Sequence, residues 1–229
     1  MKIEVWSDVM CPFCYIGKKN FEEALAQIPY KDDINVIWRG FQLDENLSKD
    51  EPISTIEYLK SRKGIAEEQI QQMFSRLNVM GKEIGIEFNQ ENAKTVNTGN
   101  AHRLIAFAQT KGKGFLAKEA LFKAYFTDAK NVADFDVLAQ IGEEIGLNKT
   151  EVAEMLNSDA FVFDVASDIL DARNLQITSV PFFAIDRKYA LSGAQSVEYF
   201  KSAITQAYEK HYLNNDQSSS ETCAVDGNC

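Results

Sequence analysis

The sequence predicts an α/β fold in which a long helical segment interrupts a small mixed sheet. The first observation is a β-α-β pattern, with β-prone runs at residues 2–6 and 34–43 and a helical run at about 12–28. The second is helical periodicity from residue 51 to about 157. The third is an α-β-β-α order between residues 161 and 212. The chain therefore resembles two halves of one sheet with helices inserted between them.

The late β-prone segments form a predicted hairpin. Residues 180–185 and 189–191 are apolar and short, and Asp186 and Arg187 lie between them as the turn. A final amphipathic helix is predicted at 197–212. The segment after it, residues 214–221, is polar and serine-rich, which is typical of a flexible tail.

This order of elements is that of a thioredoxin-like fold with a large all-helical insertion domain. Residues 1–48 and 158–213 are predicted to form the thioredoxin-like domain, and residues 49–157 the insertion. Residues 214–229 are predicted to be the flexible tail. We expect a single sheet shared by both outer segments.

Composition excludes several function classes. The chain has 229 residues and a formal net charge of −10, so broad binding to nucleic acid or to anionic lipid is not expected. It contains no apolar run of the roughly 20 residues that span a bilayer. A predicted strand follows Met1 directly, with Glu4 and Asp8 in or beside it, which is unlike a signal peptide and favours a cytoplasmic location.

The segment Cys11-Pro12-Phe13-Cys14 stands at the predicted junction of the first strand and helix. Free N–H groups at a helix start stabilise a thiolate, so Cys11 is predicted to have a lowered pKa and to act as the nucleophile. Cys14 lies one turn further on and is predicted to be the less exposed, resolving thiol. Pro12 suits the first helical turn, where its missing N–H costs nothing. This pattern indicates thiol–disulfide exchange.

An alternative is that these cysteines are half of a zinc site or ordinary core residues. Zinc sites usually need a second close pair of cysteines or histidines. The remaining candidates show no such spacing: Cys223, Cys229, His102 and His211. We expect no metal and no bound cofactor, with glutathione as a possible redox co-substrate.

A proline inside the late apolar run strengthens the redox interpretation. Pro181 follows Val180 within a β-prone segment, where a cis peptide bond is one way to accommodate it. In a thioredoxin-like fold this proline faces the cysteine pair, and the backbone of Val180 pairs with an extended substrate. Pro181 is therefore a predicted catalytic-site residue, and Pro12, Phe13 and Val180 are predicted to contact substrate.

Five segments carry a resemblance to a known family; they are SDVMCPFCYIGK at 7–18, RGFQLD at 39–44, NTGNAHRL at 97–104, SVPFFAID at 179–186 and SGAQ at 192–195. They resemble the DsbA-like thioredoxin superfamily and, within it, the cytosolic FrnE-type branch. The resemblance covers nearly the whole chain. It implies a redox-active CxxC facing a cis-proline and exchange with protein or peptide thiols, small thiols such as glutathione, or a thioredoxin system.

One departure from this family concerns the residue before the second cysteine. Periplasmic members have histidine where this chain has Phe13. Without that imidazole the Cys11 thiolate loses one source of stabilisation. We therefore predict a couple nearer to thioredoxin and glutaredoxins, roughly −200 to −270 mV, than to DsbA at about −120 mV.

Four further sets of residues are candidates for secondary roles. Cys223 and Cys229 bracket a turn-prone Asp-Gly and are candidates for a shuttle disulfide. The resemblance to FrnE-type proteins implies such a second cysteine pair near the C-terminus. The alternative is that these cysteines belong to an incidental tail. His102 follows Thr98, a good helix-capping residue type, and is predicted to line a substrate cleft or else to be packed internally.

Asp8 is interpreted as a turn or capping residue with a secondary part in tuning Cys11. Met73 and Met80 are assigned to the core.

Two rival functions remain open. A glutathione-dependent isomerase or transferase shares this architecture, but such enzymes usually carry serine where Cys11 stands. A holdase that binds unfolded protein through the helical insertion is the second rival. The intact pair of cysteines favours exchange chemistry over both.

Overall fold

The structure is a computed structural model that describes residues 1–210. In chain order its elements are β1 (Lys2–Ser7), α1 (Pro12–Ala26), β2 (Asn35–Gly40), β3 (Ile53–Ser54), α2 (Thr55–Lys63), α3 (Glu67–Glu83), β4 (Lys94–Thr95), α4 (Gly99–Thr110), α5 (Gly114–Phe126), α6 (Phe135–Glu144), α7 (Lys149–Leu156), α8 (Val162–Asn174), β5 (Phe182–Ile185), β6 (Tyr189–Ser192) and α9 (Val197–Tyr208). A short 3₁₀ helix, Lys31–Asp33, precedes β2.

The main sheet has the order β2-β1-β5-β6. Strand β1 pairs in parallel with β2, from Lys2 opposite Asn35 to Ser7 opposite Gly40, and antiparallel with β5. A parallel pair needs a long crossover, which α1 supplies. The predicted thioredoxin-like sheet, built from both ends of the chain, is confirmed.

The predicted hairpin is also present. Asp186 and Arg187 both have positive φ, at 47° and 54°, which is the geometry of a type I′ turn between β5 and β6. Strand β5 begins at Phe182, two residues later than the sequence suggests. Pro181 has no N–H for the ladder, so it cannot serve as an internal strand residue.

Helices cover both faces of the sheet. On one face Phe21 of α1, Phe183 of β5 and Phe200 of α9 have ring centroids between 4.7 and 5.6 Å apart. On the other face Ala172 of α8 packs with the fully buried Trp6 of β1. Both faces of β1 are therefore buried, which explains its nearly continuous apolar character.

The segment between β2 and α8 holds six helices but is not wholly helical. Residues of β3 and β4 form a two-stranded antiparallel pair, a feature too short to be visible as a sequence pattern. Helix α4 packs against β2 and α8, and α5 packs against α1 and α4. Two helices of this segment thus reach the sheet and the first helix. The division into domains at residues 48, 157 and 213 stays a prediction.

A buried carboxylate lies in the middle of β1. The side chain of Glu4 is fully buried, and its oxygens accept hydrogen bonds from Arg39 and Arg187 at 2.6–3.1 Å. Lys2 forms a further ion pair with it at 3.2 Å. Burial by itself raises the pKa of Glu4, but the bonds from Arg187, Arg39 and Lys2 outweigh burial and lower it to about 2.

Over residues 1–210, no helix combines the length and the apolar character that crossing a membrane requires.

Candidate active site

The two cysteines lie where the sequence places them, at the start of α1. Cys11 is the N-cap residue with extended backbone, and Pro12 occupies the first helical position. The N–H of Cys11 donates to the carbonyl of Asp8 at 3.2 Å, and the N–H of Cys14 donates to the carbonyl of Cys11 at 3.0 Å. A tight turn therefore delivers Cys11 from the end of β1 to the helix start.

Both thiols are free and buried. Cys11 is 5% exposed and Cys14 is 1% exposed, which confirms the predicted order of accessibility. Phe13, between them, is 44% exposed. The pair thus lies beneath a surface marked by an aromatic side chain.

The loop before β5 closes over the first cysteine. The Val180–Pro181 peptide bond is cis, as predicted. Cys11 Sγ donates to the carbonyl oxygen of Val180 across 3.6 Å. Residues separated by 169 positions in the chain are thereby in contact, and the backbone oxygen beside Pro181 faces the thiol.

Gly17 is needed for this close approach. A Cβ at position 17 would lie 2.9 Å from Cγ of Pro181 and 3.4 Å from Cα of Ala194. Any larger side chain on this face of α1 would therefore displace the proline loop.

The prediction of a lowered Cys11 pKa is wrong for this state. The pKa of Cys11 is raised well above its ordinary value, first by the hydrogen bond with Cys14, then by burial, and further by negative charge at Cys14 and Asp8. The backbone N–H of Cys14 acts in the predicted, lowering direction, but these effects outweigh it. Sequence reasoning recognised the helix N-terminus and could not foresee the burial.

Asp8 holds the turn from inside. Its side chain is fully buried; Oδ2 accepts from the N–H of Leu43 at 2.7 Å, and Oδ1 accepts from Thr98 Oγ1 at 2.8 Å and from the N–H of Met10 at 3.4 Å. Burial by itself raises the pKa of Asp8, but hydrogen bonds from His102, Leu43 and Thr98 hold it below its usual value. Asp8 is therefore an ionised anchor, more than the turn residue expected.

His102 is not where a substrate cleft would place it. Its side chain is buried, with Nε2 3.3 Å from Asp8 Oδ1. Because the ionised carboxylate can only accept, Nε2 carries the proton. Of the two roles expected for His102, the structure agrees with internal packing, and the predicted substrate contact is corrected, because α4 packs against β2 and covers this helix face. Thr98 is the N-cap of α4, but its hydroxyl donates to Asp8 and does not cap the helix.

Lys118 is a site residue that sequence reasoning missed. It lies on α5, is 1% exposed, and its Nζ donates to the carbonyl of Ser7 at 3.3 Å. Burial lowers the pKa of Lys118 to about 8, against the opposing effect of negative charge at Cys14, Asp8 and Cys11. One signal was available: Lys118 falls on the buried stripe of α5, with Ala117, Leu121 and Phe122.

The remaining candidates contribute little to this site. Met73 and Met80 are each 37% exposed, so their assignment to the core is wrong. Residues 1–210 contain no cluster of three or more His, Cys, Asp or Glu suited to a metal ion. Cys223 and Cys229, predicted as an accessory pair, and His211 lie outside the described residues.

Comparison with known proteins agrees with this geometry. The family model described as "DSBA-like thioredoxin domain" matches residues 2–205. "Uncharacterized protein YwbO" of Bacillus subtilis is 30% identical over 212 residues, which covers 91% of this chain and 98% of that protein.

Solved structures give the same result. The "probable DsbA oxidoreductase" of Streptomyces coelicolor is 32% identical, with a TM-score of 0.87 over 100% of this chain and 95% of that one. The cytosolic disulfide reductase DsbM of Pseudomonas aeruginosa, solved with GSH, has a TM-score of 0.61 at 14% identity, over 95% of this chain and 100% of that one, and shows the fold alone. With its thiol pair at the start of α1 and a matching family model across nearly its whole length, this chain belongs to the DsbA-like family of thiol–disulfide oxidoreductases.

Proposed function

We propose that the chain exchanges dithiols and disulfides with protein or small-thiol substrates, with Cys11 as the attacking thiol and Cys14 as the resolving thiol. The observation that carries this proposal is the free Cys11–Cys14 pair at a helix start, with Cys11 Sγ against the Val180 carbonyl. Cys11 is the more exposed of the two, which favours it as the first point of contact with a substrate.

The exchange balances without a cofactor. The Cys11 thiolate attacks one sulfur of a substrate disulfide, a Cys11–substrate bond forms, and the other substrate sulfur leaves with the electron pair and takes up a proton. Cys14 then attacks Cys11 Sγ, which closes the Cys11–Cys14 disulfide and releases the second substrate thiol. The substrate is reduced by two electrons and the protein is oxidised by two. The same steps run in reverse when the protein is the oxidant.

The proposed substrate-binding surface combines Pro12, Phe13 and Val180. Phe13 gives an exposed apolar contact, and Val180 is the residue before the cis-proline. A backbone group beside Pro181 is suited to pair with an extended peptide. Glutathione is a further proposed co-substrate, supported by the structure of DsbM solved with GSH.

A reducing couple is proposed for this pair. Strongly oxidising disulfides arise when the reduced form is stabilised as a thiolate. Here the pKa of Cys11 is raised, by its hydrogen bond with Cys14 and by burial, so the reduced form gains no such stabilisation. We therefore retain a potential of roughly −200 to −270 mV. A cytoplasmic location is proposed with it, supported by the similarity in fold to DsbM, a cytosolic disulfide reductase.

The test is a redox titration of the whole chain. The protein and a Cys223→Ser, Cys229→Ser variant are equilibrated in glutathione buffers of graded potential, alkylated, and analysed by mass spectrometry. We expect Cys11 and Cys14 to change together as one two-electron couple in both proteins. Dependence of that couple on the tail cysteines would support a shuttle role for Cys223 and Cys229; no change would remove it.

Two other results would favour the rival functions. A glutathione adduct that is stable at Cys11 and never resolves would favour a glutathione-dependent isomerase or transferase. Suppression of aggregation that is unaffected by Cys11→Ser, together with no redox couple, would favour a holdase.

A further inference from the structure

We propose that Lys118 is the positive counter-charge for the Cys14 thiolate and thereby accelerates the second, resolving step of exchange. This inference rests on the proposed function, because it assigns a positioning residue to one of its two steps. It also gives the helical segment between β2 and α8 a part in the chemistry, since α5 supplies the lysine.

The ammonium of Lys118 lies close to the turn that carries the cysteines. Lys118 Nζ lies at the end of β1, 3.3 Å from the carbonyl of Ser7, just before the turn that carries Cys11. Its neighbours on the other sides are the rings of Phe122, at 5.1 Å, and Trp38, at 5.8 Å from Nζ to the centroid. The buried ammonium is therefore packed against two aromatic rings.

The positive charge of Lys118 is incompletely paired. Within residues 1–210, Lys118 has no carboxylate in ion-pair contact, and the carbonyl of Ser7 is the hydrogen-bond acceptor of its ammonium. Asp8, the nearby anion, is already engaged by Leu43, Thr98 and His102. A buried ammonium without a paired anion is unfavourable, so the site favours any new negative charge within reach.

Cys14 is the group that can supply this charge during exchange. Tyr15, the residue after Cys14, stacks on the ring of Phe122 at 5.0 Å between centroids, and the same ring lies 5.1 Å from Lys118 Nζ, so the ammonium lies beside the part of α1 that carries Cys14. Negative charge at Cys14 acts on Lys118 more strongly than negative charge at Asp8 or Cys11. Once Cys11 is bonded to a substrate it carries no charge, and Cys14 is then the thiol whose ionisation the reaction needs. Attraction between opposite charges is strong in a buried setting and is little screened by salt.

In the resolving step, Cys14 displaces the substrate from Cys11. The Cys14 thiol loses its proton, its sulfur attacks Cys11 Sγ, the Cys11–Cys14 bond forms, and the bond from Cys11 to the substrate sulfur breaks. The leaving substrate sulfur takes the electron pair and ends as a thiol with one proton. Lys118 stays an ammonium throughout and lowers the energy of the charged sulfur between these events.

One probe separates the two steps. Dithiobis-nitrobenzoate, an aryl disulfide, releases one coloured thiolate when Cys11 attacks and a second when Cys14 resolves the adduct. The reaction is followed by stopped-flow absorbance at pH 7, where Lys118 is largely protonated, in a Cys223→Ser, Cys229→Ser background. The variants are Lys118→Met, which keeps the volume and removes the charge, and Lys118→Arg, which keeps the charge.

We expect Lys118→Met to slow the second phase at least about tenfold and to change the first phase less than about threefold. Lys118→Arg should restore most of the second-phase rate. Lys123→Met is the matched control, because Lys123 lies on the same helix with an exposed side chain that pairs with Asp128. It should change neither phase.

Two results would overturn the proposal: equal second phases in Lys118→Met and the unaltered protein, or equal slowing of both phases, which indicates a structural role alone. If Lys118→Met fails to fold, Lys118→Gln takes its place, because it also removes the charge while keeping a polar group for the Ser7 carbonyl, and the same two results would overturn the proposal. Failure of the proposed function looks different: the first phase is absent, or it persists in Cys11→Ser.

Discussion

Two charged side chains are buried beside the same strand, and they differ in how completely they are paired. Glu4, in the middle of β1, is held by Arg39, Arg187 and Lys2. Lys118 meets the end of β1 with one backbone carbonyl as acceptor and two cysteine thiols nearby. A charge whose partners are all present stabilises a fold, whereas a charge with an incomplete set of partners is available to a reaction. The comparison indicates that a stabilising charge in the middle of β1 and a charge that assists the reaction at its end lie only a few residues apart.

The largest expected effect is on stability at Glu4. Replacing Glu4 by Gln leaves two arginines without their shared carboxylate, and we expect a loss of about 3 kcal/mol in the free energy of unfolding, as for other broken buried pairs. Urea denaturation at pH 7 measures it. Glu67→Gln is the control, because Glu67 forms an exposed pair with Lys60 and should leave stability unchanged. An unaltered midpoint in Glu4→Gln would show that this cluster is not structural.

Acid should reveal the same cluster. The pKa of Glu4 is lowered from 4.5 to about 2, so its contribution is complete above pH 4.5 and is lost as the pH falls toward 2. The shift corresponds to about 3 kcal/mol. Denaturation curves between pH 5 and pH 2.5 should therefore fall less steeply with acid in Glu4→Gln than in the unaltered protein. Parallel curves would contradict the assignment.

A smaller effect on stability is expected at Gly17, where the first helix packs against the proline loop. Gly17→Ala introduces a contact at 2.9 Å to Pro181 and should cost about 1–2 kcal/mol of stability. Gly142→Ala is a matched control, since its Cβ would meet Val152 at 2.8 Å far from the cysteines. Both variants should be less stable, but only Gly17→Ala should slow attack by Cys11. Equal exchange rates in the two would show that the proline loop position does not matter.

The smallest stability effect is predicted for Lys118→Met. Replacing an incompletely paired buried charge by an apolar residue of similar volume is often neutral or stabilising, so stability should change by less than about 1 kcal/mol or rise. The same denaturation series measures it. A loss as large as that of Glu4→Gln would remove the distinction between the two buried charges.

Local patterns were sufficient to predict most of the fold. The β-α-β start, the cysteine pair at the first helix and the hairpin turn at Asp186 and Arg187 each depend on residues close in sequence. The cis bond before Pro181 followed from a proline in a β-prone run together with the CxxC.

The buried polar contacts of Asp8 and Lys118 beside the cysteines could not be predicted in the same way. Asp8 contacts Thr98 and His102 across 90 and 94 positions, and Lys118 contacts Ser7 across 111. Such contacts depend on how α4 and α5 pack, which no local period specifies. The choice between two roles for His102 could not be made from the sequence, and the expectation for the pKa of Cys11 was wrong, for this same reason, because both depend on burial created by distant helices.

The most direct test of the account is to trap the covalent intermediate. The Cys14→Ser and Cys11→Ser variants, each with Cys223→Ser and Cys229→Ser, are incubated with oxidised glutathione and weighed by intact-protein mass spectrometry. We predict that Cys14→Ser accumulates one glutathione at Cys11, because the resolving thiol is missing, and that Cys11→Ser, whose remaining thiol is the more deeply buried, accumulates far less. An adduct that forms on Cys14 in Cys11→Ser as fast as on Cys11 in Cys14→Ser would contradict the assigned roles.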